Sequence, residues 1–232
     1  MKISTIAFFL FIVLFAMKSN SQCSLRMNSQ DVYSQTLQST GNTQLDNVVR
    51  NEESKLESFF GVNANVNICS GTNGLAMPYC KHEGCHGTIE LGKSLLSFEY
   101  QQSKGDYIVI AIMAHEYAHL VQYRHPEIRW ASSAQQELHA DFLAGWYIGQ
   151  YIRKYSYGSP DRRNIPFAVR GGFAQLGDQE YWSMNHHGNK MARMLAIDSG
   201  MSDGYHWMPL DRAFKAGIDV ANDIIVEFDY KW

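Results

Sequence analysis

The chain has 232 residues, with 45% hydrophobic and 19% charged positions, which is ample for a sizeable core and excludes a disordered chain. A formal charge of −3, with no dense Lys/Arg cluster, leaves no electrostatic footprint for nucleic acid, so no nucleic-acid partner is expected.

Residues 1–21 read as a signal peptide. Lys2 gives a positive first region, Ile6 to Ala16 an apolar one, and Ser19 to Ser21 the small residues a signal peptidase cuts after. An uncleaved membrane anchor is the competing reading, but this apolar run falls well short of the ~20 residues a spanning helix needs. No later segment is long and apolar enough to cross, so no stable membrane insertion is expected after signal removal. The mature chain is expected to be exported, periplasmic or secreted. Lipoprotein anchoring at Cys23 is the weaker alternative, because Asn20-Ser21-Gln22 departs from the small-residue pattern such anchors carry.

Export makes the cysteines readable as up to two disulfides among Cys23, Cys69, Cys80 and Cys85, with connectivity open. Cys80 and Cys85 are spaced to close a short loop. A second metal site using His82 and His86 is the sharper alternative, but two thiols and two imidazoles this crowded do not easily converge on one tetrahedral ion. The disulfide is preferred.

Residues 22–74 form an N-terminal helix and strand region. In "TQLDNVVRNEESKLESFFG" the residues Leu45, Val48, Val49, Leu56 and Phe59 recur near helical spacing, and Gly61 ends the helix. "VNANVNICSG" alternates like a strand. In "GTIELGKSLLSF" a second strand puts Ile89 and Leu91 on one face against Thr88 and Glu90. A helix is predicted from about Tyr107 to Tyr123, with Pro126 barring its continuation, and another from about Ala131 to Arg153, capped by Ser132 or Ser133. "SYGSPDRRNIP" reads as a loop. Shorter helices are expected near 186–198 and 210–225, and "IIVEFDYKW" reads as a strand or a helix end.

The chemistry concentrates in "AHEYAH". Residues four apart share a helix face, so His115 and His119 present two imidazoles to one point, and Glu116 sits one step round from them. Two core histidines would be the bland reading. Against it, "QELHADFLAGWY" places Glu137 and Asp141 four apart on the next helix, where carboxylates on an apolar side are costly unless they bind something. A solvated acidic face would also explain the pair, but Leu138, Phe142 and Trp146 leave little polar surface there. Glu137 completes a two-His, one-Glu set for one Zn²⁺ with a fourth position open to water, and Asp141 is placed to fix the tautomer of a ligand histidine. Glu116 is the expected general base. His125 and His139 are expected on exposed surfaces, and His206 in an aromatic loop.

"HEYAHLVQ" followed by "ELHADFLAG" resembles the gluzincin metallopeptidases, most of all the neutral zinc metallopeptidase group and its HtpX-like relatives. Their short His-x-x-x-x-x-Arg segment is matched by "HGNKMAR", with His187 and Arg193. "YCKHEGCHGTIELGKSLL" is similar to the strand before the active helix, and the likeness covers roughly residues 75–200. The chain lacks the membrane helices of the HtpX-like branch and has Gly188 where that branch often has proline. The resemblance implies an α+β, zincin-like fold over residues 75–232, with a small sheet above the active-site helix and a mainly helical C-terminal half. It implies a zinc metallopeptidase acting on an extended protein or peptide substrate. His187 is the implied transition-state stabiliser, with His186 its competitor, and Arg193 braces the helix or its neighbouring carboxylates. The strand near Ile89–Leu91 is expected to be the edge on which substrate pairs. Alternatives are a zinc hydrolase of a non-peptide amide and an exported, non-catalytic binding module with a vestigial zinc site.

Overall fold

An unbroken run from Ile108 to Gln122 is buried, ionisable side chains included, so the helix carrying "AHEYAH" is enclosed by protein on every side. Such a helix must be wrapped by other elements, and the fold is best described by what wraps it. The computed structural model describes residues 35–80, 82–103, 106–156, 163–176 and 189–228. Residues 1–21, read as a signal peptide, and Cys23, His186 and His187 lie outside the described residues.

The elements run β1 (Thr36–Leu37), α1 (Thr43–Phe60), β2 (Ala64–Cys69), β3 (Gly74–Met77), β4 (Gly87–Gly92), α2 (Lys93–Ser103), α3 (Tyr107–Tyr123), α4 (Ser133–Tyr155), α5 (Ile165–Leu176), α6 (Lys190–Tyr205) and α7 (Leu210–Phe228). This is an α+β arrangement: one small sheet and a predominantly helical remainder. No described helix is long and apolar enough to cross a membrane. The sheet order is β1-β2-β4-β3, with β2 and β4 parallel and the outer pairs antiparallel. Helices α1, α3, α4 and α5 and the sheet close on one apolar core that includes Leu56, Phe60, Ile89, Leu91, Tyr117, Trp146 and Phe173.

Several termini follow from local chemistry. Asn42 caps α1 by accepting from the amides of Gln44 and Leu45, and Gly61 ends it in the left-handed conformation at φ 62°. Of the two serines expected to cap α4, Ser132 does so, accepting from the Gln135 amide at 3.1 Å. Cys80 and Cys85 are disulfide-bonded, and Cys69 is buried with no disulfide partner among the described residues. His86 does not serve a metal with them; its Nδ1 accepts the Asn63 amide at 2.8 Å.

The edge expectation is overturned. β4, which holds Ile89 to Leu91, is an inner strand paired with β2 on one side and β3 on the other, so its ladder groups are already spent. The sheet ends at β3 beside α3, where the Tyr123 hydroxyl donates to Ala76 O. The C-terminal segment resolves as helix through Phe228. Helices α2 and α5 were not expected.

Helix α4 packs most extensively on α6, through matched glycines four apart: Gly145 and Gly149 on α4, Gly200 and Gly204 on α6. A Cβ at Gly200 would stand 1.9 Å from Phe142 O, and one at Gly145 would stand 2.1 Å from Ile197 O. Backbone cannot step aside as a flexible side chain can, so the two helices approach this closely only because these methyls are missing. Gly200→Ala is therefore expected to destabilise the protein by more than the ~1–3 kcal/mol of ordinary overpacking. Gly171→Ala serves as the control, because a Cβ there meets nothing within 4 Å. It should be neutral or stabilising by up to ~1 kcal/mol through helix propensity alone. Urea unfolding of both variants checks the pair; equal midpoints would show that the close approach is not required.

Candidate metal centre

Three side chains meet where α3 crosses α4. His115 Nε2 and His119 Nε2 are 3.0 Å apart, and Glu137 presents Oε2 3.4 Å from the first and Oε1 3.4 Å from the second. These donors form a buried group able to hold a metal ion, each within 4.8 Å of the others. Helix spacing puts the two imidazoles together, and the α3–α4 packing brings the carboxylate across.

The protonation pattern tests whether a cation fits. Asp141 Oδ1 lies 2.9 Å from His115 Nδ1, and Gln122 Oε1 lies 2.8 Å from His119 Nδ1. Gln122 Oε1 accepts from His119 Nδ1, and the negative charge of Asp141 beside His115 Nδ1 favours the proton there, so each neutral imidazole turns a bare Nε2 lone pair toward the other. Two lone pairs and a carboxylate facing one point repel unless a positive charge sits among them. Burial opposes a second proton on His115, but hydrogen bonds and charge from Asp141 and Glu137 outweigh it and raise the His115 pKa. A divalent ion serves all three donors at once. Ligand atoms about 2 Å from a shared tetrahedral ion lie roughly 3.3 Å from one another, close to the separations here.

Asp141 is itself held. Arg193, from α6, is fully buried and grips it with two hydrogen bonds, Nε to Oδ2 at 2.7 Å and Nη2 to Oδ1 at 2.6 Å. The same guanidinium donates to Leu176 O at 3.3 Å, stands over the Phe173 ring, and has Nη2 4.0 Å from Glu137 Oε2. The α4–α6 glycine contact thus sets the position of a charge that reaches both acidic residues.

Glu116 is as buried as the three donors, and neither of its oxygens has a hydrogen-bond partner among the described residues. Burial pushes its pKa up to about 8; the charges of His119 and Arg193 pull it down and that of Glu137 pushes it further up.

Of the predicted site residues, the structure gathers His115, His119, Glu137, Asp141 and Arg193 into one connected group, with Glu116 adjoining on α3. His187 and its competitor His186 lie outside the described residues. The surface assignment of His139 is wrong: it is fully buried beneath α7, and burial drives its pKa down to about 4, against a raising effect from its bond to Phe214 O. His125 is partly exposed and paired with Glu127 at 2.9 Å, while exposed His206 bonds Ser202 O at the end of α6. Gln122 went unpredicted, although its spacing gave a signal: it is a lone amide one helical turn beyond His119, in an otherwise apolar stretch.

Removing Glu137 should cost far more metal affinity than removing Asp141. Glu137→Ala deletes a donor facing both imidazoles, whereas Asp141→Ala deletes only a group that orients one of them, a loss of about 10–100-fold. Equilibrium competition for Zn²⁺ against a chromophoric chelator checks the order. If Asp141→Ala were the worse of the two, Glu137 would not be a ligand.

Comparison of the chain with family models, with curated proteins and with solved structures returns no match, so the reading of this centre rests on its own geometry.

Proposed function

We propose that the protein is an exported zinc-dependent endopeptidase of the gluzincin type, with a zincin-like fold, holding one Zn²⁺ through His115, His119 and Glu137. The observation that carries this reading is Glu116: a buried carboxylate beside the three donors, with no hydrogen-bond partner among the described residues and no need to be there if the site only bound metal. A set of two imidazoles and one carboxylate suits zinc, and three protein ligands rather than four is the catalytic pattern.

When bound, such an ion supplies Lewis acidity that polarises a carbonyl and acidifies water. Glu116 takes the proton from the attacking water and delivers it to the leaving amide nitrogen, a shuttle its place beside His115 on α3 allows. Asp141 keeps the His115 lone pair aimed inward, and Arg193 keeps Asp141 in place. His187 keeps its proposed role of donating to the developing oxyanion. The extended substrate is proposed to pair on β3, the sheet edge beside α3, in place of the inner strand β4.

One observation favours a second reading, the non-catalytic module: His115, Glu116 and Glu137 have no exposed surface, as in a structural site. A single experiment separates the two. Metal content of the purified mature protein is measured together with cleavage of a denatured-protein substrate, before and after chelation and zinc restoration. The proposal expects about one zinc per chain and cleavage that disappears and returns with it. Zinc without cleavage would leave the non-catalytic module or a zinc hydrolase of a non-peptide amide; cleavage unaffected by chelation would remove the metal mechanism.

A further inference from the structure

We infer that Gln122 and His139 are positioning residues for His119, forming a buried relay that fixes from the α7 backbone which nitrogen of that imidazole faces the metal. The inference deepens the proposed function and rests on its metal reading.

The relay crosses three helices. On α3, Gln122 Oε1 is 2.8 Å from His119 Nδ1. On α4, Gln122 Nε2 is 2.8 Å from Gln136 O and 2.9 Å from His139 Nδ1. On α7, Phe214 O is 2.9 Å from His139 Nε2.

Two backbone carbonyls settle every proton in this chain, because a carbonyl can only accept. Gln136 O requires the amide nitrogen of Gln122 opposite it, which fixes the amide's orientation and leaves Oε1 against His119. That oxygen also only accepts, so His119 carries its proton on Nδ1 and its Nε2 is bare. At the far end, Phe214 O requires a proton on His139 Nε2. A neutral His139 then has a bare Nδ1, which accepts the second amide proton of Gln122.

All donors and acceptors match in this one sense. Reversing the amide would set oxygen against oxygen at Gln136 and deprive His139 of its donor. Gln122 is 2% exposed and His139 0%, so water cannot repair a reversal. Rings hold His139 as well: Trp130 lies 5.0 Å and Phe214 4.7 Å from it, centroid to centroid. A Cβ at Gly217 on α7 would approach His139 Cδ2 to 2.9 Å. Helix α7 offers no ligand, yet through this relay it determines how the second imidazole is presented, as Arg193 and Asp141 do for the first.

The test uses the mature chain in two states. In the metal-free wild-type protein, ¹⁵N-detected histidine spectra should show His119 protonated on Nδ1 and His139 on Nε2. This needs no variant and so survives any failure of a variant to fold. In competition for Zn²⁺, Gln122→Leu and His139→Leu should each weaken binding by about 10–100-fold. The double variant should be no weaker than Gln122→Leu alone, because His139 acts through Gln122. The opposite tautomer at His119, or folded Gln122→Leu with wild-type zinc affinity, overturns the relay while leaving the metal site intact. A wild-type protein that shows both tautomers and binds no zinc removes the metal reading, and the positioning role with it.

Discussion

Exchanging Glu116 for glutamine is expected to leave the zinc content unchanged and to lower peptide hydrolysis at least ~10²-fold, the usual cost of losing a general base. The three donors that converge are His115, His119 and Glu137, and none of them is touched. Stability should move the other way. An unfolded chain ionises this carboxyl near its ordinary 4.5, whereas burial raises it to about 8 in the folded, metal-free protein. Between those values the unfolded state holds fewer protons than the folded one, so this residue makes wild-type stability fall as pH rises. Glutamine has no proton to lose. The metal-free variant should therefore match wild type near pH 4.5 and exceed it by up to a few kcal/mol near pH 8, read from urea unfolding at each pH. Near-wild-type hydrolysis by the variant would reject Glu116 as the base, and loss of zinc would reject the ligand assignment.

A buried carboxylate that costs stability is also one that a sequence displays openly. Glu116 and the flanking histidines stand out because they interrupt an apolar helix, and the same contrast exposes Glu137 and Asp141 on α4. Helical spacing then does the geometric work, so the centre is legible before any tertiary structure is known. The helix α1 is legible for a related reason: its apolar face repeats, and Asn42 and Gly61 mark its ends.

What escaped the sequence depends on how elements cover one another. Helix α2 begins at Lys93 directly after β4 ends at Gly92, with no turn residues between them, so strand and helix ran together. Helix α5 carries Pro166 in its first turn, where a missing N–H costs nothing, and two central glycines, which leave a weak helical signal in the sequence. A Cβ at Gly172 would meet Ile108 Cδ1 at 2.1 Å, so that glycine sits in helix packed against α3 and not in a turn.

The expected surface placement of His139 fails because neighbouring helices cover the part of α4 that carries it. Helices α3, α6 and α7 all pack against α4 and bury most of its length, which periodicity along one helix cannot reveal. The sheet order escaped for the same reason: strands can be read singly, whereas which of them lies at the edge is set by pairing. The α4–α6 glycine contact joins these points. It lets Arg193 reach Asp141 from a different helix, which makes the candidate metal centre depend on packing well away from its three donors.

Arg193→Met is expected to be among the most damaging single changes that leave every ligand in place. The guanidinium is fully buried, and its two hydrogen bonds at 2.6 and 2.7 Å satisfy both oxygens of Asp141. Methionine fills much of the volume but leaves the Asp141 carboxylate in a dry interior, with Glu137 close by and the cation that balanced them gone. Breaking a buried pair from one side costs about 3–5 kcal/mol, chiefly through the charge left behind. The loss should appear in urea unfolding of the chelated protein, where no metal can compensate. Arg193→Lys should recover only part of it, because an ammonium cannot reproduce the two-pronged grip. Adding Asp141→Asn to Arg193→Met should return some of the lost stability by removing the stranded charge, and the double variant should lie well short of the sum of the two single losses. If Arg193→Met cost no more than a surface exchange, or if the two losses simply added, the Arg193–Asp141 pair would not be what joins α6 to the metal centre.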